Sequence, residues 1–146
     1  RLKNIAGDDP GIRFTGALFD EAALVPLFAL ATAVVVPGSV GLIAAHAFAH
    51  DVPVISCRDT DGHGPEFAYL ADGINALLAE AGTEDSLTAC LDRLLTEADL
   101  LDRLRAGARR TADGLGIDRP VRTTLDAVRM ALGDKTSTHS DIKMIS

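Results

Sequence analysis

The chain has 146 residues, of which 47% are hydrophobic, and a net charge of −7 from 14 basic and 21 acidic residues. This length and apolar content predict one hydrophobic core, and therefore one globular domain or a large part of one. The negative charge argues against a protein that binds nucleic acid without regard to sequence, because such proteins carry a basic surface.

Two cysteines, Cys57 and Cys90, are far apart and show no Cys-x-x-Cys spacing. They suggest neither a disulfide framework nor a zinc site, so we expect a reducing, cytoplasmic location. The longest apolar stretch, residues 22–36, is interrupted by Pro26 and is too short to predict a membrane span. The chain starts at Arg1 in what resembles the end of a helix, so we expect a part of a longer protein.

Strand-like and helix-like segments alternate from residue 12 onward. "IRFTGAL", residues 12–18, is a predicted strand that follows the turn signal Asp-Pro-Gly. Asp20 is a predicted N-cap, because apolar residues at helical spacing come after it. "AVVVP", residues 33–37, is typical of parallel strands covered on both faces, and a helix over about residues 40–49 should follow it.

The alternation continues in the second half. Pro53 opens the predicted strand "PVISC", Pro65 opens a short helix, and "NALLAE" is a further strand. Three later helices are predicted over residues 84–96, 98–112 and 120–132. The polar residues 134–146 should be a disordered tail. This order predicts the α/β class, with a doubly wound parallel sheet that ends in helices.

The segment "PGSVGL" joins the predicted strand at residues 33–37 to its helix. Ligands of parallel sheets bind beyond the carboxyl ends of the strands, where free backbone N–H groups attract anions. Gly38 and Gly41 allow close approach, so the N–H groups of Val40, Gly41 and Leu42 are candidates to hold a diphosphate. A tight turn without a ligand is the alternative, because the segment is neither GxGxxG nor a Walker loop.

Two histidines, His46 and His50, are four residues apart and therefore share one helix face. Their spacing can bind zinc, but the sequence lacks the Glu of HExxH and shows no third ligand. His50 at the helix end is explained by the helix dipole. His46 is either a hydrogen-bonded core residue or a ring that reaches a ligand across the strand ends.

A second candidate site is "DGHGPE", residues 61–66. Its helix should begin beside the first helix, because both follow adjacent strands of one sheet. Two helix N-termini at one crevice would bind an anion better than one. Glu66 either favours the dipole of its own helix or faces the ligand.

Taken in order, "RFTGAL", "VVVPG", "HAFAHDVPVIS" and "HGPEFAYLADGINALL" resemble the donor-binding C-terminal half of retaining GT-B glycosyltransferases. The similarity covers roughly residues 12–112 and is to the family 4, or group 1, enzymes, which include sucrose synthases and many bacterial polysaccharide transferases. It implies a partial Rossmann-like parallel sheet with terminal helices. Residues 1–133 would be the distal part of the nucleotide-sugar-binding domain.

The chain departs from this family at three positions. The family's glutamate that holds the nucleotide ribose falls on His46, and the glutamate that faces the donor sugar falls on Gly38. The family's glycine before x-Pro is Asp51 here. A histidine can still hydrogen-bond a hydroxyl group, whereas a glycine cannot replace a carboxylate. The resemblance therefore implies either a variant sugar pocket or a decayed one.

The resemblance implies transfer of a hexose-like group, with retention, from a UDP- or GDP-sugar to a glycan or lipid-linked acceptor in polysaccharide biosynthesis. It implies no metal and no cofactor, since the nucleotide-sugar is a substrate, and it assigns no catalytic residue. The implied donor-binding residues are Gly16, Ala17, Leu18, Gly38, Ser39, Val40, Gly41, Leu42, His46, His63, Gly64, Pro65 and Glu66.

The family's Arg and Lys that neutralise the leaving diphosphate, and its acceptor-binding N-terminal half with any peripheral membrane contact, are expected outside this sequence. Arg58 is the nearby cation, either a weak substitute or a surface residue. Because losing one such stabilising group costs about 100-fold or more, we expect the chain alone to be inactive. The alternatives are a GT-B sugar-nucleotide epimerase and a non-catalytic nucleotide-binding or interaction module.

Overall fold

The computed structural model describes residues 2–58, 62–80 and 83–116. The elements in chain order are α1 (Leu2–Ala6), α2 (Glu21–Leu30), β1 (Val34–Val36), α3 (Ile43–Ala49), β2 (Val54–Cys57), a 3₁₀ helix (Pro65–Tyr69), β3 (Ala76–Ala79), α4 (Glu84–Thr96) and α5 (Leu100–Gly114). The predicted helix over residues 120–132 and the predicted tail over residues 134–146 lie outside the described residues. Within the described ranges, every helix is too short or too polar to cross a membrane.

A parallel sheet in the order β1-β2-β3 forms the centre of the described fold. Val34 is paired with Val54, and Val54 with Ala76, so the three strands begin level with one another. Every residue of β2 is buried, whereas Val35 on the edge strand β1 is 43% exposed. The predicted parallel sheet is confirmed. The expectation that the run at residues 33–37 is covered on both faces is wrong, because the described elements leave Val35 open.

Helices lie on both faces of the sheet. Successive side chains of a strand point to opposite faces, so β2 and β3 each contribute to two cores. One core, packed on α2, α3 and the second half of α5, contains Phe28, Phe48, Val54, Ala76 and Ala108. The other core, packed on α4 and α5, contains Ile55, Leu77, Cys90, Leu94 and Leu104. This arrangement confirms the α/β fold class with a Rossmann-like sheet.

The predicted strand over residues 12–18 is wrong. These residues are irregular and largely exposed, and Gly16 has a positive φ of 73°. A strand needs a neighbour to accept its backbone hydrogen bonds, and in the described structure no bond joins residues 12–18 to the sheet. The β-branched and aromatic residues of the segment therefore indicated a strand that the tertiary structure does not form.

The predicted helices form, with shifts at their ends. Asp20 caps α2 by accepting the N–H of Ala22 at 3.1 Å, as predicted. The bounds of α4 agree with the prediction, and Thr83 caps it by accepting the N–H of Ser86. In contrast, α3 begins three residues later than predicted, α5 is displaced by two residues, and the helix at Pro65 is a 3₁₀ helix.

Asn75, immediately before β3, connects the sheet to α5. Its side chain is buried and its hydrogen-bonding groups are all engaged. Nδ2 donates to the carbonyl of Tyr69 and to Oγ1 of Thr111, both at 2.8 Å, while Oδ1 accepts the N–H of Ala71 at 2.7 Å. A buried amide group without hydrogen-bond partners lowers the stability of the fold. Moving α5 would break the bond between Asn75 and Thr111, so this network holds α5 against the turn.

Candidate functional site

The first candidate segment, residues 38–42, follows the carboxyl end of β1 as predicted. Gly38 and Ser39 are exposed, whereas the side chain of Val40 is completely buried and anchors the turn. The turn leads into α3, whose N-cap Leu42 provides no side-chain capping bond. Among the described residues, neither the N–H of Gly41 nor that of Leu42 makes a hydrogen bond. These two donors are therefore available to a ligand.

The N–H of Val40 is not available. It donates to Nδ1 of His63 at 3.0 Å, while Nε2 of the same ring lies 3.2 Å from the carbonyl oxygen of Cys57. The prediction that three consecutive N–H groups at Val40, Gly41 and Leu42 could hold a diphosphate is thus wrong for Val40. Its donor is already used within the protein.

The second candidate segment, residues 63–66, packs directly on the first. The N–H of Gly64 donates to the carbonyl of Val40 at 2.8 Å. A Cβ on Gly64 would lie 2.9 Å from that oxygen and 2.7 Å from Oε2 of Glu66, so only glycine fits here. The starts of the two helices lie side by side, as predicted. The predicted crevice is absent between Val40 and Gly64, because these two residues are in direct contact.

Two further residues shape this edge of the sheet. Oγ of Ser56, a buried side chain in β2, donates to the carbonyl of Val36 at 2.8 Å and ties the ends of β1 and β2 together. The ring of Phe67 stacks on His63 with centroids 4.2 Å apart and planes 8° apart. The sequence patterns described above predict neither role. For Ser56 a signal existed, because a polar residue inside a buried strand requires a hydrogen-bond partner.

Glu66 and Pro65 begin the 3₁₀ helix beside this contact. Glu66 is half-buried, and its carboxylate makes no hydrogen bond or ion pair with the described residues. It therefore remains able to accept hydrogen bonds from ligand hydroxyl groups.

His46 is exposed on α3, and among the described residues its ring nitrogens have no hydrogen-bond partner. The ring is nearly parallel to that of Phe28, with the centroids 6.4 Å apart. His50 stacks on the same phenylalanine at 5.1 Å. His46 is thus not a core residue, which leaves its ring free to contact a ligand.

Residues 16–18 are expected to border the nucleotide base from the end of a first strand. In the structure they are not part of the sheet, so no strand brings them to this edge. Gly16 and Ala17 are exposed and Leu18 is half-buried in irregular backbone. The expectation that placed these residues at the end of a first strand is wrong, because that strand does not form.

Arg58, at the carboxyl end of β2, is held by two carboxylates. Its guanidinium contacts Asp72 at 2.5 Å and Glu80 at 2.6 Å. The hydrogen bond that Arg58 donates to Glu80 raises the pKa of Arg58 above its ordinary value. Because two carboxylates already offset its charge, Arg58 adds no net positive charge at this position, so of the two interpretations the surface residue fits the structure.

An open groove of about 560 Å³ lies at the opposite, amino end of the strands. It is lined mainly by Phe28, His50, Asp51, Val52, Arg105 and Arg109. Asp51 has a positive φ of 59° and forms an ion pair with Arg109, which lowers the pKa of the Asp51 carboxyl. Ligands of parallel sheets bind at the carboxyl end, so this groove is separate from the candidate site.

The described residues contain no group of three or more His, Cys, Asp or Glu side chains that could hold a metal ion. Cys57 and Cys90 are both free and buried. The backbone N–H groups of residues 41–42 and the side chain of Glu66 offer hydrogen bonds at this edge of the sheet, whereas the recorded contact of the His46 ring is with Phe28, which lines the groove at the amino end.

Similarity to known proteins agrees with this architecture. A family model described as "Glycosyl transferases group 1" matches residues 1–97, which is more than half of the chain. A D-inositol 3-phosphate glycosyltransferase from Frankia alni is 37% identical over 105 residues, which cover 70% of this chain and 25% of that protein. The chain thus spans about a quarter of the length of this relative. On the strength of the family match, the chain belongs to the group 1 glycosyl transferases.

Proposed function

We propose that this chain forms part of the donor site of a retaining glycosyltransferase and holds the diphosphate of a nucleotide-sugar at residues 38–42. The observation that supports this is the pair of N–H groups of Gly41 and Leu42 beyond the carboxyl end of β1, which have no hydrogen-bond partner among residues 2–58, 62–80 and 83–116, in a chain of a glycosyl transferase family. A diphosphate oxygen would accept both hydrogen bonds, and such charge-assisted bonds are stronger than neutral ones.

Glycine at position 41 supports the same proposal. A Cβ there would meet no atom within 4 Å, and the backbone does not have a positive φ. Neither packing nor backbone conformation therefore requires a glycine at this position. A bare backbone that the fold itself does not need is what a close approach by a ligand would require.

The role of the chain in catalysis would be to bind and orient the donor. A departing diphosphate needs positive charge, and Arg58 is already paired with Asp72 and Glu80. We infer that the stabilising cations belong to parts of the protein other than the described residues. Removing a stabilising group of this kind costs about 100-fold or more, so the chain alone is expected to bind the donor without turning it over.

We further propose a UDP- or GDP-linked hexose as donor and a glycan or lipid-linked molecule as acceptor, with a cytoplasmic, metal-independent reaction. The relative from Frankia alni is named for an inositol phosphate. That name adds a third acceptor class to be tested with the complete protein.

A non-catalytic nucleotide-binding module is the second candidate. Two residues favour it, since Gly38 and His46 occupy positions where the resembled family has carboxylates. Gly38 is exposed and has no side chain to orient a sugar. Nucleotide binding without sugar transfer by the complete protein, assayed with all three acceptor classes, would favour this second candidate over the transferase.

Titration of the chain with UDP and GDP, followed by calorimetry, tests the donor site. Wild-type chain is expected to bind at least one of the two nucleotides. His46→Ala should weaken that binding by about fivefold, as expected for one lost hydrogen bond to the ribose, without lowering thermal stability.

His50→Ala is the matched control, because His50 stacks on the same Phe28 ring but lies at the far end of α3. It should leave nucleotide affinity unchanged. Equal losses in both variants would assign His46 to packing, and no binding of either nucleotide by the wild-type chain would contradict the proposed donor site.

A further inference from the structure

We propose that His63 is a positioning residue that directs the N–H of Gly41 toward the ligand. The role rests on the proposed donor site, but the contacts that carry it are internal to the protein. Nδ1 of His63 accepts the N–H of Val40, and Nε2 lies near the carbonyl of Cys57. His63 therefore joins the end of β2 to the turn at residues 38–42.

These contacts determine the protonation state of the ring. A carbonyl oxygen can only accept, so Nε2 of His63 must carry a proton to bond with Cys57. A backbone N–H can only donate, so Nδ1 must be unprotonated to bond with Val40. Both contacts are satisfied together only by the neutral Nε2–H tautomer.

The peptide between Val40 and Gly41 is held from its other side by Gly64. The carbonyl of Val40 accepts the N–H of Gly64 at 2.8 Å. In a planar trans peptide the next N–H points opposite to the carbonyl, and the described chain contains no cis peptide. The N–H of Gly41 must therefore point away from residues 62–66, toward the open side of the turn.

His63 and Gly64 thus fix two successive peptides of the turn, one through its N–H and the other through its carbonyl. The ring itself is half-buried and stacked on Phe67 at 4.2 Å, so its orientation is set by the 3₁₀ helix. Both ring nitrogens are engaged within the protein. His63 consequently acts on the ligand through Gly41 and not by direct contact.

Two variants separate the contacts of the ring. In His63→Asn, the side-chain oxygen takes the place of Nδ1 and can still accept from Val40. In His63→Gln, the amide nitrogen can approach the place of Nε2 and donate to Cys57, but the acceptor for Val40 is lost. Both variants lose the stacking on Phe67 equally, which makes them a matched pair.

The measurement is the affinity of each variant for UDP and GDP, together with the ¹⁵N shifts of the His63 ring in the wild-type chain. Binding should fall about fivefold in His63→Gln, as for one lost hydrogen bond, and by less than about twofold in His63→Asn. The ring should show a protonated Nε2 and an unprotonated Nδ1. Equal losses in both variants, or a protonated Nδ1, would overturn the role.

Amide hydrogen exchange separates failure of this role from failure of the donor site. If the wild-type chain binds no nucleotide, the proposed function fails. The exchange rate of the Val40 N–H still shows whether His63 accepts its hydrogen bond. Exchange at Val40 should be faster in His63→Gln than in His63→Asn. Equal exchange in the two variants would overturn the role of His63. If a variant fails to fold, the tautomer of the His63 ring in the wild-type chain tests the role instead, and a protonated Nδ1 would overturn it.

Discussion

Gly107 of α5 lies so close to Ile74 that a Cβ on the glycine would be 1.8 Å from the Ile74 carbonyl oxygen. A glycine inside a helix ordinarily costs about 1 kcal/mol relative to alanine. Here it lets α5 contact the backbone of the turn before β3, where Asn75 also bonds to Thr111. The close approach of Gly107 to Ile74 therefore brings Thr111 within reach of Asn75, and the bond between Asn75 and Thr111 in turn holds α5 at this distance.

Gly107→Ala should lower the free energy of unfolding by about 1–3 kcal/mol, because the added methyl group forces α5 away from the turn. Gly114→Ala, at the end of the same helix, is the control. A Cβ on Gly114 meets nothing within 4 Å, so stability should be unchanged or slightly raised. Urea unfolding of the two variants checks this, and a stable Gly107→Ala protein would show that α5 can move freely.

Asp51 adopts a left-handed conformation at the position where the resembled family has glycine. Its φ is 59°, which costs a side-chain-bearing residue about 1 kcal/mol. Asp51→Gly relieves that cost, so it should be about 1 kcal/mol more stable than Asp51→Ala, which keeps the strain. Both variants lose the ion pair with Arg109, so the comparison isolates the backbone. Thermal unfolding measures the difference, and equal midpoints would refute the backbone explanation.

The ion pair between Asp51 and Arg109 predicts a dependence of stability on pH. The hydrogen bond from Arg109 lowers the pKa of Asp51 in the folded state. A lowered folded pKa stabilises the protein above the ordinary carboxyl value of about 4, and this stabilisation disappears as pH falls through the folded pKa. Wild type should therefore exceed Arg109→Ala in stability from about pH 5 to 7, by a margin that closes below about pH 4.

The margin should be small, because both side chains are partly exposed. Added salt should reduce it further. Arg110→Ala is the matched control, since Arg110 lines the same groove but forms no ion pair with the described residues. Its difference from wild type should not change over this pH range. A similar pH profile for both variants would assign the effect to general charge.

The elements that sequence predicts well are those with local signals. For α4, the cap Thr83 and the acidic residues Glu84 and Asp85 mark the start of the helix within a few positions, and the observed bounds agree. α3 begins later than the sequence predicts because the carbonyl of Val40 accepts the N–H of Gly64, from a distant part of the chain, while the N–H of Ala44 bonds to Gly41 instead. No local pattern contains that contact.

The candidate site was predicted in outline for a topological reason. Residues 38–42 and 63–66 follow neighbouring parallel strands, so they had to meet at one edge of the sheet. Which N–H groups remain free could not be predicted, because that depends on the ring orientation of His63. Residues 12–18 have β propensity, but propensity does not provide a pairing partner, so the predicted strand and the position it implies for residues 16–18 are wrong.

Glu66 offers a test of how the sugar is recognised. Its half-buried carboxylate lies over Gly64 and has no partner among the described residues. Glu66→Gln keeps the shape and removes the charge, so it should weaken binding of a UDP- or GDP-hexose by about tenfold, the effect of one hydrogen bond to a charged group. Binding of the bare nucleotide should change by less than about twofold, because that ligand has no sugar hydroxyl groups beyond the ribose.

Asp102→Asn provides the control, because it removes an exposed negative charge on α5 without touching the loops of residues 38–42 and 63–66. Calorimetric titrations of both variants with each ligand separate recognition from general electrostatics. A loss for Glu66→Gln that is equal for the nucleotide and the nucleotide-sugar would place Glu66 in a structural role beside Gly64. A selective loss would mean that the sugar is held by a carboxylate from the second loop, in a chain that has Gly38 where the resembled family has its sugar-facing glutamate.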